Sequence, residues 1–282
     1  MIFRVLFLWL FIKLSLLACA DGWDYNHKDF VFLENRDLPF SNISEEINQA
    51  SVYNTVVWAY EEKNKQENLK EWKKELKDAY TLSQIEDFLY KRVNLDQLKD
   101  KDVRDYIDIV ARQENHVTYD YFMSDEEKKA LGNYKLILNE IFQKIDTVNS
   151  PSLKLRYFYL ALRLAHYKKD NPLQVYEKYK YLLENSDNKI IKDWIQGLYA
   201  GALVKNGKVV NGVYEFTKLF DKNSINFHLS YYNFFHIKTN EQWNELLNLA
   251  SSNEEKTKFY ALRALNANSN ILEELKNIYA LD

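Results

Sequence analysis

Residues that break helices are scarce in this chain, which has six glycines and three prolines among 282 residues. Tight turns and β-hairpins depend on such residues, because their backbones take conformations that most side chains disfavour. Good helix formers such as lysine, glutamate and leucine are plentiful instead. Aromatic residues make up 15% of the chain, a content that excludes a mostly disordered protein. The composition therefore predicts an all-α fold.

Helix starts are marked by capping residues that are followed three positions later by Glu or Gln. The pairs are Ser83 with Glu86, Ser124 with Glu127, Thr239 with Gln242, Ser252 with Glu255 and, more loosely, Asn270 with Glu273. In Ser150-Pro151 and Asn171-Pro172 the capping residue precedes a proline at the first helical position. Because each site precedes an apolar stretch of helical periodicity, the sequence predicts many helices.

The clearest helices follow Ser150 and come in pairs. Residues 153–168 carry apolar side chains on two opposite faces, which is typical of a helix between two neighbours. A second helix follows Asn171-Pro172, and 190–205 with 209–220 repeat the pair after about 37 residues, close to the 34 of a tetratricopeptide repeat. In this register Ala200 and Gly212 take the small-residue positions at which paired helices approach closely, and Arg163 and Val175 take them in the first pair. Further helices are predicted at about 225–237, 241–250, 254–265 and 271–280.

We divide the chain into four parts. They are a signal sequence at 1–20, an irregular aromatic segment at 21–42, a less regular helical region at 43–149 and tetratricopeptide-like repeats at 150–282. In the third part, helices are predicted at Ser44–Glu62, Asn68–Tyr80 and Ser83–Lys91. The charges that alternate between Arg92 and Ser124, including Asp100 and Asp105, are most simply a solvated face. The expected architecture is a stack of antiparallel helix hairpins, a degenerate tetratricopeptide-like solenoid.

The N-terminus has the features of an export signal. Arg4 precedes an apolar run that is shorter than the roughly 20 residues of a membrane-spanning helix, and small residues follow it. Two cleavage sites fit. Ala18-Cys19-Ala20 suits signal peptidase, whereas Leu16-Leu17-Ala18-Cys19 resembles a bacterial lipobox, which would leave Cys19 lipidated as a membrane tether. An uncleaved N-terminal anchor is the third alternative.

Cysteine content and charge exclude further structural features and partners. Cys19 is the only cysteine, so no intramolecular disulfide can form. The formal charge is −3, and it becomes more negative when the signal is removed with its Arg4 and Lys13. A mildly acidic chain argues against nucleic acid as a partner, because such proteins concentrate basic residues on one face.

The chain resembles exported bacterial proteins with tetratricopeptide-like helical repeats and no characterised activity. The residues that carry this resemblance are Cys19-Ala20-Asp21-Gly22-Trp23, Asn68-Leu69-Lys70-Glu71-Trp72, Phe88-Leu89-Tyr90-Lys91, Leu155-Arg156-Tyr157, Leu162-Arg163-Leu164-Ala165, Tyr176-Glu177-Lys178-Tyr179, Arg263-Ala264-Leu265-Asn266 and Ile278-Tyr279-Ala280-Leu281-Asp282. The resemblance covers most of the mature chain. It implies the helical-repeat architecture and no particular reaction.

No motif for catalysis or cofactor binding is present. The chain contains no Gly-rich phosphate loop, no G-x-S-x-G elbow and no H-E-x-x-H zinc motif. His228 and His236 could share a metal on one helix with Asp221 or Glu241, but two ordinary histidines among tyrosines and phenylalanines are the simpler interpretation. We therefore predict no catalytic residue, no cofactor and no metal.

Four residues are candidates for partner binding: Arg156, Arg163, Tyr159 and Tyr167. The two arginines lie seven residues apart on one flank of the helix at 153–168, where their guanidinium groups could grip carboxylates of a partner. Tyrosine combines a large contact area with a polar tip, as recognition surfaces require. The alternative is structural: ion pairs between stacked helices, with the arginine stems and the tyrosines packed as core.

These observations predict a non-enzymatic protein of the bacterial periplasm, or an outer-membrane lipoprotein, that binds another protein or peptide or scaffolds an assembly. Two alternatives remain. One is a cell-wall-acting enzyme on a helical solenoid body, which only the compartment and the aromatic content favour. The other is a purely structural lipoprotein that is tethered through Cys19.

Overall fold

The computed structural model describes residues 53–117, 124, 126, 132–220, 226, 228–265 and 269–281, with the side chains of 53–61 and 228 left out. The proposed signal sequence, the segment 21–42 and Cys19 lie outside these residues. The chain divides into two units, and the larger comprises Tyr60–Ala264 and Asn268–Asp282. The smaller unit, 1–59 with 265–267, falls almost entirely outside the described part. All contacts below are within the larger unit.

Twelve α-helices make up the described part of the chain, where no strand occurs. They are α1 (Tyr53–Glu75), α2 (Leu82–Glu86), α3 (Lys101–Val117), α4 (Tyr134–Thr147), α5 (Pro151–Lys168), α6 (Pro172–Tyr179), α7 (Lys189–Lys205), α8 (Val209–Thr217), α9 (His228–Phe234), α10 (Asn240–Leu249), α11 (Asn253–Ala264) and α12 (Ile271–Tyr279). A π-helical segment (Asp87–Lys91) follows α2, and 3₁₀ turns lie at Leu95–Gln97 and Lys180–Leu183. The all-α prediction is confirmed.

Most of the predicted caps are observed. Ser150 accepts a hydrogen bond from the Leu153 amide at the start of α5, and Thr239 with Gln242 forms a capping box at α10. Ser252 accepts from the amide of Glu255, whose carboxylate receives the Ser251 amide instead of completing the box. Asn270 caps α12. Asn171 begins α6 in a left-handed conformation without a side-chain cap.

The predicted cap of α2 at Ser83 is wrong. Thr81 caps this helix, and its hydroxyl accepts from the Gln84 amide at 3.2 Å while the Gln84 side chain accepts from the Thr81 amide at 2.9 Å. The two candidate pairs, Thr81/Gln84 and Ser83/Glu86, overlap in sequence, and the chain uses the one that places Ile85 in the core. The Ser124/Glu127 pair lies largely outside the described residues.

The structure has one continuous helix where two were predicted, at Ser44–Glu62 and Asn68–Tyr80. Helix α1 continues without a break from Tyr53 to Glu75. Residues 63–67 are polar, but lysine, glutamine and glutamate are good helix formers, and the helix runs through them. On its inner side Leu69 and Trp72 are almost completely buried.

The charged stretch after Arg92 is only partly a solvated face. It contains α3, which buries Val103, Tyr106, Ile107, Ile109, Gln113, His116 and Val117. Asp100 caps α3 through the Val103 amide. Asp105 is half-buried and binds both Lys101, at 2.8 Å, and Lys144 of α4, at 2.6 Å. Asp100 and Asp105 therefore organise the fold, although only Asp105 is half-buried, and Asp96, Asp100, Asp102 and Asp108 are exposed.

Helix α5 lies at the centre of the larger unit. It packs against α3, α4, α6 and α7, which explains why it is apolar on two sides. Eleven of its side chains are buried. The later helices also pack against helices that are near them in the chain. Helix α7 packs on α8, α8 on both α9 and α10, α9 on α11, and α11 on α12.

Helices α7 and α8 approach each other closely at the predicted small residues. A Cβ atom on Gly212 would lie 2.8 Å from the Ala200 carbonyl oxygen and 2.5 Å from Val204 Cγ2. Such distances are shorter than van der Waals contact, so only glycine allows this approach. The predicted close approach at Gly212 is confirmed, whereas α8 ends at Thr217, earlier than the predicted 220.

Candidate binding site on helix α5

All four candidate partner-binding residues lie on one stripe of α5. Arg156, Tyr159, Arg163 and Tyr167 follow i, i+3, i+7 and i+11 spacing, which keeps them on a common face. We call this set the α5 stripe. Its members differ in exposure: Arg156 is 0% exposed, Tyr159 and Arg163 are half-buried, and Tyr167 is 52% exposed. The stripe therefore runs from the interior to the surface.

Arg156 is a buried anchor between α5 and α1, and it does not line an open groove as the binding hypothesis required. Its Nη1 donates to Asn68 Oδ1 at 2.8 Å, and its Cζ lies 3.9 Å from the centre of the Trp72 ring. The structural alternative invoked an ion pair, but these contacts are an amide hydrogen bond and a cation–π contact. Burial lowers the pKa of Arg156, against the raising effects of Tyr106, Glu75, Tyr90 and Glu71.

A polar connection leads from Arg156 to the surface. Asn68 accepts from the guanidinium with its oxygen and donates with Nδ2 to the Tyr90 hydroxyl at 2.9 Å. Tyr90 is 44% exposed. Lys65, 5.5 Å above the Tyr90 ring, is held by Glu86 at 2.8 Å. Tyr90 therefore marks the outer end of this connection.

Tyr106 of α3 lies beside the buried guanidinium. Its ring packs on Trp72 and Tyr157, with centroid distances of 5.1 and 5.3 Å. Burial raises the pKa of Tyr106 to about 12, while the positive charges of Arg156 and Arg163 act to lower it. The Tyr106 hydroxyl is therefore protonated at neutral pH and available as a hydrogen-bond donor.

Tyr159 packs against α7. Its ring centre lies 5.2 Å from that of Trp194, whose Nε1 donates to Asn64 Oδ1 of α1 at 2.8 Å. Burial raises the pKa of Tyr159, and the charge of Arg163 opposes this. The middle of the α5 stripe thus lies between α1 and α7.

Arg163 differs from the other arginines that the structure describes. Arg92, Arg112 and Arg263 contact carboxylates, Arg104 donates to a backbone carbonyl and Arg156 to Asn68. Arg163 alone has no hydrogen bond or ion pair to another described residue. A half-buried guanidinium of this kind is suited to a carboxylate from outside.

Tyr167 lies at the exposed end of the stripe. It contacts the ring of His166 edge-on at 5.5 Å, and Lys205 Nζ of α7 lies 5.8 Å from the centre of its ring. The other tyrosines of this region have different environments. Tyr157 and Tyr179 are buried in the core, Tyr181 is exposed, and the ring of Tyr176 stacks on that of Tyr199 with 3.6 Å between the ring centres. The stripe itself is predictable from helical spacing, but its partners lie far away along the chain and are not: Asn68, Trp72, Tyr90, Tyr106 and Trp194.

The hypothetical histidine metal site does not form on one helix. Helix α9 ends at Phe234, before His236, so the helical spacing that would bring the two histidines together is lost. Within the described residues, no group of three or more His, Cys, Asp or Glu side chains is placed to hold a metal ion. In the same part of the chain, no helix is both long and apolar enough to cross a bilayer.

Comparison of the chain with protein families, with curated proteins and with solved structures found no match.

Proposed function

We propose that this chain is an exported helical-repeat protein of the bacterial envelope that binds another protein, and that the outer part of the α5 stripe, formed by Tyr159, Arg163 and Tyr167, is its binding surface. The observation that carries the proposal is Arg163, a half-buried guanidinium without a described partner between Tyr159 and Tyr167. Arginine and tyrosine dominate the binding energy of many protein interfaces. A carboxylate of the partner would find two N–H donors on Arg163 and an aromatic surface on either side.

The packing order supports a degenerate tetratricopeptide-like solenoid as the scaffold. Helix α5 contacts α7, and α8 contacts α10, in addition to the contacts between consecutive helices. This is the pattern expected when hairpins stack in sequence order. Connections of three residues, at 148–150 and 206–208, favour antiparallel neighbours. In such a stack the first helices of successive hairpins, α5 and α7, share a continuous surface for a partner.

Site-specific photocrosslinking tests the surface. A benzoylphenylalanine at position 167, in the full chain expressed with its own N-terminus, should crosslink to one defined protein in envelope preparations. Arg163→Glu in the same background should reduce the crosslinked product by about tenfold, because losing a central charged contact typically costs more than 1 kcal/mol.

Arg112→Glu is the matched control, because Arg112 is a more exposed arginine on α3 that already contacts Asp108 and Glu140. It should leave the crosslink intact. An equal loss in both variants, or no crosslink from position 167 in the parent chain, would contradict the proposed surface.

A purely structural lipoprotein is the second candidate, and the sequence Leu16-Leu17-Ala18-Cys19 favours it. Growth with a palmitate analogue should then label the parent chain, and Cys19→Ala should lose the label, because Cys19 is the only cysteine. The mass of the mature N-terminus separates this form from a chain that begins at Asp21. Equal label on both proteins would exclude the tether.

A further inference from the structure

One edge of the Arg156 guanidinium has no acceptor. Nη1 donates to Asn68, whereas Nε and Nη2 are shielded from solvent and make no hydrogen bond of normal geometry, although the Tyr106 hydroxyl lies close enough to interact with the guanidinium. The N–H bonds of Nε and Nη2 point the same way, along a single edge of the rigid planar group. The two unmatched donors therefore form one complete bidentate fork.

A buried guanidinium with unmatched donors lowers the stability of the folded chain. Polar groups that leave water without regaining their hydrogen bonds destabilise a protein, and buried charges are normally paired. The Trp72 ring covers one face of the group but accepts nothing along its edge. Because the buried Arg156 has two donors without an acceptor, we expect an acceptor that comes from outside the described residues.

The nearest carboxylates are engaged elsewhere. Glu75 and Glu71 act on Arg156 only through their charge. The Glu75 carboxylate accepts from the Ser150 hydroxyl, and the Glu71 carboxylate is 2.9 Å from Lys74 Nζ. Neither is hydrogen-bonded to Nε or Nη2 of Arg156. Both add negative charge to the neighbourhood, which disfavours a doubly charged anion such as phosphate.

We propose that the free edge of Arg156 is a receptor for a single carboxylate, held by Nε and Nη2 with the Tyr106 hydroxyl beside it. The two oxygens of a carboxylate match the two parallel N–H bonds. Asn68, Trp72 and Tyr106 are all buried, so the fork lies in an enclosed site in which a carboxylate would be held away from water. This inference goes beyond the proposed function, since it holds for a small acid and for the C-terminus of a peptide alike.

Arginine side-chain NMR on the full chain tests this receptor. In a spectrum of the Nε–H groups, assigned with Arg156→Lys, the Arg156 signal should shift on titration with sodium acetate while chloride holds the ionic strength constant. The Arg112 signal should stay in place, because its carboxylate partners are already bound. No shift of Arg156 up to 100 mM acetate, or the same shift with chloride alone, would overturn the receptor.

Thermal unfolding provides a second measurement and distinguishes the sources of the carboxylate. Acetate at 100 mM should raise the melting temperature of the parent chain by about 3 °C. The Arg156→Met variant should lose this response, and the control variant Arg112→Met should keep it.

A peptide acid tests whether the carboxylate can belong to a peptide. Acetyl-Ala-Ala with a free carboxylate should raise the melting temperature as acetate does if peptides bind, and the amide of the same peptide should not. A response to acetate but not to the peptide acid assigns the receptor to small acids; equal responses in the parent and in Arg156→Met would contradict it. If Arg156→Met does not fold, the NMR titration of the parent chain decides alone.

Discussion

His166 shows how a single buried side chain is controlled by its surroundings. It is buried between α5 and α7, and its Nε2 lies 2.7 Å from Lys205 Nζ. Because an ammonium group has no lone pair, this contact requires an unprotonated Nε2 that accepts from Lys205. Burial, followed by the charge of Lys205, lowers the pKa of His166 to about 4.

This contact predicts a loss of stability in mild acid. In the unfolded chain the imidazole has a pKa near 6.5, so between pH 6.5 and 4 the unfolded chain binds a proton that the folded chain does not. The free energy of unfolding should therefore fall as the pH drops through this window, by about 3 kcal/mol at most. Urea unfolding at pH 7.5 and pH 4.5 measures the fall.

Two glutamine variants separate His166 from the carboxylates that titrate in the same range. His166→Gln can still accept from Lys205 but does not titrate, so its stability should depend less steeply on pH than that of the parent chain. His236→Gln, at an exposed position outside the helices, should keep the full dependence. A parallel response of the parent and His166→Gln would contradict the role of His166.

At the scale of the elements, short helices depend on how they begin. Helix α2 has only five residues, and it positions Ile85 and, through the π-helical segment, Phe88 in the core. Its first turn is held by the capping box of Thr81 and Gln84. A helix this short has too few internal hydrogen bonds to form without its cap and its packing.

Two neighbouring substitutions test which residue is the cap. Thr81→Ala removes the acceptor for the Gln84 amide and should reduce the free energy of unfolding by about 1 kcal/mol. Ser83→Ala changes an exposed residue within the helix and should stay within about 0.5 kcal/mol of the parent chain. Chemical denaturation of both variants measures the difference. A larger loss for Ser83→Ala would restore the cap predicted from sequence.

For the molecule as a whole, burial is concentrated at α5 and declines toward the C-terminus. Helix α5 packs against four other helices. Helix α12 packs mainly on α11 and exposes Leu272, Leu275 and Tyr279. Its attachment includes a contact of 2.7 Å between Arg263 Nε and the buried carboxylate of Glu274. Regions with few buried contacts open at a lower free energy than the rest of a fold.

Amide hydrogen exchange should therefore be slowest in the centre of α5 and fast in α12. Phe158→Ala should lower the stability of the whole chain by about 3–5 kcal/mol, because it leaves a cavity at a fully buried site. Leu275→Ala is its control and should cost less than about 0.5 kcal/mol. Equal exchange rates in α5 and α12 would contradict this distribution of stability.

The features of the fold that could be predicted from the sequence are those with a local cause. The helical class, the caps at Ser150, Thr239, Ser252 and Asn270, and the bounds of α5 and α7 all follow from residues within a few positions of one another. The close approach at Gly212 was also predictable, because the proposed tetratricopeptide-like register puts Gly212 at a small-residue position of its helix pair. The wrong break between Glu62 and Asn68 and the wrong cap at Ser83 arose where two local patterns competed and distant packing selected one of them.

The same division holds for the candidate site. The sequence alone determined that Arg156, Tyr159, Arg163 and Tyr167 share one face of a helix, because the helical repeat fixes that relation. Only the tertiary structure decided that Arg156 is buried against Asn68, 88 residues away, while Arg163 remains half-exposed without a described partner. The physical reason is that a helix sets the direction of a side chain, whereas the environment of that side chain depends on the elements that pack against it.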